Sequence, residues 1–243
     1  MVRERNFVFF RTLRAVLDDA ALARALREKK HAYITGLSYD GNLAEGDASI
    51  TRKSKQTIVI ESGAMSNEDV IASFRDTTRN EVRRSFTMPE LSFVLPDPNR
   101  IEILKLYSEF EETGARSARK ASYFTQSLFA GAYWKGRLIA SIICYDAKPT
   151  LRVNAIVSVR KDGGEESGQV SFATRRLVFE LIKYVCDHGY TQLDLGGINT
   201  TDESKKGITA FKMSFGGKAV EEYAYTYKSL LFRYVTSFFY KGR

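Results

Sequence analysis

The chain has 243 residues, of which 44% are hydrophobic and 27% charged, and it carries a formal charge of +8. That length and apolar content suffice for one large core or two small ones, and the charged fraction excludes a disordered or fibrous chain. No run approaches the ~18 uninterrupted apolar residues of a membrane span, and the apolar stretch near Met1 is too short for a secretory signal, so the sequence places the chain in the cytoplasm. Cys144 and Cys186 have neither metal-ligand spacing nor a disulfide framework around them. They read as buried thiols, and no metal site is expected.

Taken in chain order, residues 7 to 30 carry a helical pattern (Phe10, Leu13, Val16, Leu17, Leu22, Leu26) interrupted near Asp18 and Asp19, which predicts two short helices. The polar stretch after Thr35, up to Gln56, predicts a long loop or hairpin. Thr57 to Glu61 reads as a strand, and Ser66 to Asp69 opens a helix running to about Ser85 before Pro89 breaks the chain. Leu91 to Leu95 is a strand, Asn99 to Thr113 a helix, and Arg119 to Leu128 a second helical turn. Phe129 to Trp134 and Leu138 to Tyr145 form a hairpin across Lys135, Gly136 and Arg137, because Gly136 accepts positive φ. A strand at Leu151 to Val159 follows, then a glycine-rich loop at 162–168. A helix with Leu177, Val178, Leu181, Ile182 and Val185 facing inward is closed by His188 and Gly189. A strand at Gln192 to Leu195, a short helix and a final strand at Ala219 to Tyr227 complete the order.

From residue 88 onward this is β-α-α-β-β-β-α-β-α-β. An antiparallel meander followed by a β-α-β crossover predicts a mixed central sheet with helices on both faces. It is the element order of a GNAT-type acyltransferase domain, spanning 88–243.

The most informative segment is Leu193-Asp-Leu-Gly-Gly-Ile198, followed by Gly207-Ile-Thr-Ala-Phe-Lys-Met-Ser-Phe-Gly-Gly217. It reads as a buried strand, a glycine turn, a helix from about Glu203 to Phe215 and a glycine stop. Thr201, Asp202 and Glu203 offer acceptors to the first helical N–H groups, and Gly216 and Gly217 suit a left-handed end. Stepping about 100° per residue puts Ile208, Phe211 and Phe215 on one apolar stripe, with Lys212 about 40° from Ile208 at its edge. A cation held there could meet a ligand phosphate or a developing oxyanion; the other reading is a lysine whose stem covers apolar surface. Asp194 is the nearest carboxylate, and it reads first as a structural acceptor for the N–H groups of the glycine turn.

Basic residues cluster at the two ends. The first thirty residues hold eight basic and four acidic side chains, and Lys228 to Arg243 hold four basic and none acidic. There Lys228, Arg233, Lys241 and Arg243 alternate with Tyr227, Phe232, Tyr234, Phe238, Phe239 and Tyr240. Such a mixture suits an anionic membrane surface, a lipid-linked substrate or a nucleic-acid backbone; equally, it suits a terminal strand or helix whose aromatics finish the core.

Leu193-Asp-Leu-Gly-Gly-Ile198, Phe211-Lys-Met-Ser-Phe-Gly-Gly217 and Thr77-Thr-Arg-Asn-Glu-Val-Arg-Arg84 together resemble the Fem family of peptidoglycan bridge-forming aminoacyltransferases. They are equally similar to related GNAT-superfamily acetyltransferases of polysaccharide gene clusters. The resemblance covers roughly residues 57 to 228. It implies two GNAT-like domains, of which only the second is complete here, so that 1–87 would be an abbreviated N-terminal GNAT-like region. The helical-hairpin arm of some members is missing. It further implies transfer of an acyl or aminoacyl group from acyl-CoA or an aminoacyl-tRNA to an amino group of a nucleotide-sugar, lipid-linked or peptide precursor of cell wall or polysaccharide. These donors would be co-substrates, with no cofactor bound permanently. The family lysine that handles negative charge falls on Lys212, and an Arg-x-x-x-Tyr pair that holds the acceptor falls on Arg119 and Tyr123. Gly196, Gly197 and Phe211 are assigned to the donor cleft, where the glycines let a donor approach the backbone.

Acyl transfer to an amine needs a neutral nucleophile, a donor carbonyl held nearby and stabilisation of the tetrahedral oxyanion. No nucleophile elbow is present, and His31 and His188 are poor candidates for a general base; His188 suits a helix C-terminus. The loop Arg160-Lys-Asp-Gly-Gly-Glu-Glu-Ser-Gly168 departs from the pyrophosphate-cradling pattern of coenzyme A users, since its two glutamates would repel a diphosphate. An aminoacyl-tRNA, with the basic charge as its binding surface, therefore stays open beside acyl-CoA. The alternative from another class is a non-catalytic GNAT-fold module that binds RNA or an anionic membrane surface, with peripheral contact through the C-terminal tail.

Overall fold

The computed structural model describes residues 1–7, 9–63, 65–114, 117–159 and 168–240, the last three as backbone only. The glycine-rich loop, read as departing from the pyrophosphate-cradling pattern, therefore falls almost entirely outside the described residues. The chain forms two compact units: Met1–Thr57 with Gly197–Asn199 and Ala219–Arg243, and Ile58–Gly196 with Thr200–Lys218. Residues 58–87 thus pack in the second unit, whereas the sequence reading puts a boundary at 87.

In the first unit, β1 (Val2–Phe7) and β2 (Phe10–Val16) form an antiparallel hairpin, and β2 runs parallel to β3 (Tyr33–Ser38). β10 (Lys218–Lys228) returns antiparallel to β3. A hairpin stands where two helices were expected. The apolar residues of 10–16 satisfy both periods, but Leu13 and Ala15 are buried on one face, alternating with less buried Thr12 and Arg14, which is the period of a strand. Only the second expected helix forms, as α1 (Asp19–Glu28), capped by Asp18, whose carboxylate accepts the Ala21 N–H. Leu22, Ala25 and Leu26 of α1 pack on Leu13, Ala15, Ile34 and Tyr225. The polar stretch expected as loop or hairpin contains the end of β3, a loop at 39–49, and the start of β4 (Ile50–Glu61), whose first residues are mostly exposed. Backbone pairing makes that strand, and a row of Thr, Arg, Lys, Ser and Gln gives no apolar alternation to announce it.

In the second unit, α2 (Asn67–Ala72) and α3 (Asp76–Ser85) replace one expected helix. Ser66 opens α2 with a reciprocal cap to Asp69, and the chain turns at Phe74, whose buried ring meets Phe215 edge-on at 5.3 Å. The strand order β9-β8-β7-β6-β5 comprises β5 (Leu91–Val94), β6 (Ser127–Trp134), β7 (Arg137–Ala147), β8 (Thr150–Ser158) and β9 (Gln192–Ile198). The first three junctions from β5 are antiparallel and β8–β9 is parallel, as the crossover through α5 (Val170–Asp187) requires. β7 reads as a continuous buried run from Leu138 to Tyr145, the signature of a strand covered on both faces. Ile103, Leu106 and Tyr107 of α4 (Arg100–Thr113) pack on Phe129, Ile143 and Val157. Phe179, Leu181 and Ile182 of α5 are buried as well. Lys135 (φ 50°) and Gly136 (φ 79°) both take positive φ in the β6–β7 turn, the conformation that matches strand twist.

The 39–49 loop of the first unit is tied down electrostatically. The Lys29 ammonium lies 2.6 Å from the Asp47 carboxylate, which also accepts the Ser49 hydroxyl at 2.6 Å and its N–H at 3.0 Å. The Lys29 contact, followed by Ser49, lowers the Asp47 carboxyl from 3.8 to about 2. A depressed carboxylate stabilises the fold above its unfolded value, and the stabilisation is lost as pH falls through the folded one. A carboxyl-detected NMR titration should find Asp47 half-protonated near pH 2, and Lys29→Met should move the midpoint back towards the ordinary value.

Candidate active site

The site of the second unit is built around the last rung between β8 and β9. Their parallel register pairs Thr150, Leu151 and Arg152 with Gln192, Leu193 and Asp194. Among the described residues, Val153 and Asn154 on one side and Leu195 and Gly196 on the other add no further rung. Two features end the ladder. On β9, Gly196 turns to φ +80° and donates its N–H to Asp194 Oδ1 at 2.7 Å. On β8, the pairing with β7 passes from Val153 to Ala155, so that Asn154 forms a bulge.

Asp194 is wholly buried, and its second oxygen pairs with the equally buried Arg152 guanidinium. The carboxylate thus serves the glycine-turn N–H, the structural role read from the sequence. A Cβ at Gly196 would lie 2.9 Å from the Val153 carbonyl oxygen and 3.4 Å from Lys212 Nζ. The Lys212 ammonium thus lies at ordinary contact distance from this point, and it is the Val153 carbonyl that a side chain here would crowd.

Lys212 stands in the last turn of α6 (Lys206–Met213), where a cation complements the helix carbonyls. A 3-10 turn at Glu203–Lys205 precedes the helix, with Asp202 accepting the Ser204 N–H. The buried side of α6 differs from the expected stripe. Ile208 is 44% exposed, while Thr209 and Phe215 are buried. With only two turns and a docked C-terminus, α6 is oriented by its end. There Phe215 inserts between Phe74 and Phe211, and Gly216 at φ +77° packs so closely that a Cβ would meet the Ser73 carbonyl oxygen at 2.3 Å.

A polar network extends that anchorage. The Ser214 hydroxyl accepts from Thr78 at 2.7 Å, and the Ser214 carbonyl accepts the Arg75 N–H at 2.9 Å. Arg175 of α5 reaches Thr78 at 3.4 Å, Ser171 at 2.5 Å and Glu81 at 3.1 Å. Its guanidinium also lies 5.5 Å from the centre of the Phe211 ring. Thr78 and Glu81 belong to the Thr77–Arg84 motif, so that motif's place in the fold is to brace the helix carrying Lys212. Arg175, Asn154 and Arg152 were not singled out in the sequence; each is one polar residue in an element defined by its apolar neighbours.

Arg119 and Tyr123 do come together, though not on an α-helix. The helix expected at 119–128 is only a 3-10 turn at Ala121–Phe124, because Ser127 already enters β6. The exposed Arg119 guanidinium lies 4.5 Å from the Tyr123 ring centre and donates to Asn154 Oδ1 at 3.1 Å. The Tyr123 and Tyr145 hydroxyls are 2.7 Å apart. Buried Asn154 Nδ2 has no hydrogen-bond partner among the described residues. Arg119 thus reaches β8 at Asn154, the residue after the Val153 whose carbonyl faces Gly196. Phe211 is half-buried against Phe215 and Arg175. Gly197 belongs to the first unit, where a Cβ would lie 3.3 Å from Glu222 Oε1 and 3.7 Å from the Gln56 carbonyl oxygen.

The remaining candidates lie elsewhere. His188 caps α5, its Nδ1 lying 2.9 Å from the Tyr184 carbonyl oxygen and its ring stacked on Tyr184 at 3.8 Å. His31 is buried in the first unit beside Glu4, 3.3 Å away. Cys144 is buried, which pushes its thiol well above the usual range; Cys186 is half-buried.

No protein-family model matches this sequence, and no curated protein is a significant match. Solved structures do match. FemX aligns over 92% of this chain and 83% of its own, with a TM-score of 0.64 and 12% identity. The C-terminal domain of a proposed lysylphosphatidylglycerol synthetase from Agrobacterium fabrum aligns over 93% and 79%, at 0.59 and 12%. L-PGS from Bacillus licheniformis aligns over 97% and 82%, at 0.57 and 12%. The chain has a Fem-like mixed α/β fold, as its motifs and element order implied.

Asp194→Asn removes the charge facing buried Arg152 and should cost ~3–5 kcal/mol, seen as a large drop in denaturant midpoint. Gly196→Ala adds a Cβ at positive φ against the Val153 carbonyl, and should lower the melting temperature. Full stability in both variants would refute this account of the strand end.

Proposed function

We propose that the chain is an acyltransferase that moves an acyl or aminoacyl group from an activated donor, acyl-CoA or aminoacyl-tRNA, to an amino group of a cell-wall, nucleotide-sugar or polysaccharide precursor. The observation that carries this reading is the Lys212 ammonium, held over the Cα of Gly196 where the β8–β9 ladder ends. Backbone groups leaving a ladder can meet an extended donor, and a fixed cation beside them can meet the charge that develops on its carbonyl oxygen. The fold shared with FemX, and with a protein whose name is that of a lysylphosphatidylglycerol synthetase, supports group transfer.

On this reading the acceptor amine attacks the donor carbonyl in its neutral form. The carbonyl π pair moves onto oxygen, facing Lys212, and collapse of the tetrahedral species expels a thiolate from acyl-CoA or a ribose hydroxyl from tRNA. The amine proton leaves through water, so no protein base is needed. Arg119 over Tyr123 offers a guanidinium fork to an acceptor phosphate, and Asn154 Nδ2 offers a further donor beside it. Gly196 and Phe211 line the donor path, and residues 1–87 are the abbreviated counterpart of a first GNAT-like domain. The site would act at the cytoplasmic side.

Lys212→Met should reduce transfer about 10²–10³-fold with little change in melting temperature, because the side chain is only half-buried. Full activity in this variant would overturn the assignment. Arg119→Ala should raise the acceptor KM more than it lowers kcat. Calorimetry with acetyl-CoA and with a charged tRNA separates the two donors. Binding to neither, with tight salt-dependent binding of uncharged RNA, would favour a non-catalytic module instead.

A further inference from the structure

The first unit carries an apolar surface that its own fold leaves uncovered. The hairpin register pairs Arg3 with Arg14, Arg5 with Thr12 and Phe7 with Phe10, which puts these six side chains on one face of the sheet. Tyr33 joins that face beside Thr12. Glu4, Asn6 and Arg11 fall on the opposite one, where the Arg11 guanidinium pairs with the Glu4 carboxylate at 3.1 Å, so the hairpin's acid is neutralised away from the Arg3, Arg5 and Arg14 face. The helix α7 (Leu230–Tyr240) lies on the Arg-bearing face. Its Phe232 is 6% exposed, stacks on Tyr33 at 5.1 Å and meets Phe10 edge-on at 5.3 Å and Phe7 at 6.1 Å.

One side of α7 is thereby seated, yet its other side is apolar too. Leu230 is 83% exposed, Leu231 62% and Tyr234 64%. At the same end of the sheet, Phe7 is 49% and Phe9, in the hairpin turn, 95% exposed. A helix with apolar residues on both sides is ordinarily buried on both. Bases border this patch: Arg5, Lys228 and Arg233 are exposed, and residues 223–243 contain no Asp or Glu.

We propose that the hairpin tip and α7 together dock onto an anionic lipid surface, with Phe9, Leu230 and Leu231 entering the acyl boundary and Arg5, Lys228 and Arg233 meeting lipid phosphates. The pairing of apolar tips with a basic border is the chemistry of such a surface. A second copy of the chain fits less well, because a two-fold contact would bring each basic border against its own copy. RNA fits less well too, since bases stack on aromatic faces and two exposed leucines offer none. The docking is independent of the transfer reaction and is read without donor or acceptor.

The test is cosedimentation of the full chain with phosphatidylcholine vesicles and with vesicles also containing phosphatidylglycerol. Binding should require the anionic lipid and weaken between about 0.1 M and about 1 M salt, as the screening length shrinks from about 10 Å to about 3 Å. Phe9→Ser with Leu230→Ser and Leu231→Ser should weaken it at least tenfold with an unchanged thermal melt. Lys228→Gln with Arg233→Gln, a milder change on exposed positions, should weaken it about fivefold per charge. No binding to either vesicle, or undiminished binding by both variants, overturns the proposal. So does a dimer in solution that the three serines dissolve, or RNA binding that they weaken while vesicle binding persists.

Discussion

The second unit's site depends on one carboxylate. Asp194 has no contact with solvent, and its two oxygens are committed in opposite directions, one to Arg152 across the β8–β9 rung and one to the Gly196 N–H of its own strand. The first interaction closes the ladder and the second bends β9 away from it. An uncompensated charge at that depth is costly, so the rung and the turn are coupled: neither partner can leave without stranding the other. The place where the sheet stops pairing is therefore set by charge neutralisation in the core, and not by the looseness of a strand end.

Around that fixed point the helix α6 is held by its C-terminal end. Eight residues make a poor helix in isolation, and its outer face, with Ile208 exposed, contributes little burial. Orientation comes instead from Phe215 between two rings, from Gly216 against Ser73, and from the Ser214–Thr78–Arg175–Glu81 chain of polar contacts. Lys212, in the last turn of a helix fixed in this way, takes its position from that anchorage. Arg119 and Tyr123 are set more lightly, since Arg119 is exposed and is positioned by a ring, an amide and a short 3-10 turn.

The first unit faces a different constraint. With few buried residues per strand, it uses α1 to cover one face of its sheet and α7 to cover the other. Both are short, and α7 uses Phe232 inward while leaving Leu230 and Leu231 outside. Strand alternation in the hairpin β1–β2 puts Arg3, Arg5 and Arg14 on one face and the Glu4–Arg11 pair on the other, so the electrostatic character of each face follows from register.

The element order from residue 88 to 228 was legible because its strands and helices are long, apolar and punctuated: the Lys135–Gly136 turn, the α5 stripe and the glycine stop at 216 announce themselves locally. The fold class was also within reach of sequence, as was the structural role of Asp194. What failed was where local signals are degenerate. Residues 10–16 satisfy both a helical and a strand period, and only pairing to β1 and β3 decides for the strand. Ile50 to Gln56 is polar throughout and becomes strand through backbone hydrogen bonds that side chains do not encode. Arg119 and Tyr123 meet through a 3-10 turn and a cation–ring contact, where spacing suggested an α-helix. The sequence by itself determined which residues carry charge, bend and bulk; the tertiary structure alone decided which of them meet, because Asn154, Arg152, Thr78 and Arg175 act through partners distant in the chain, and burial turns each of those meetings into an obligation.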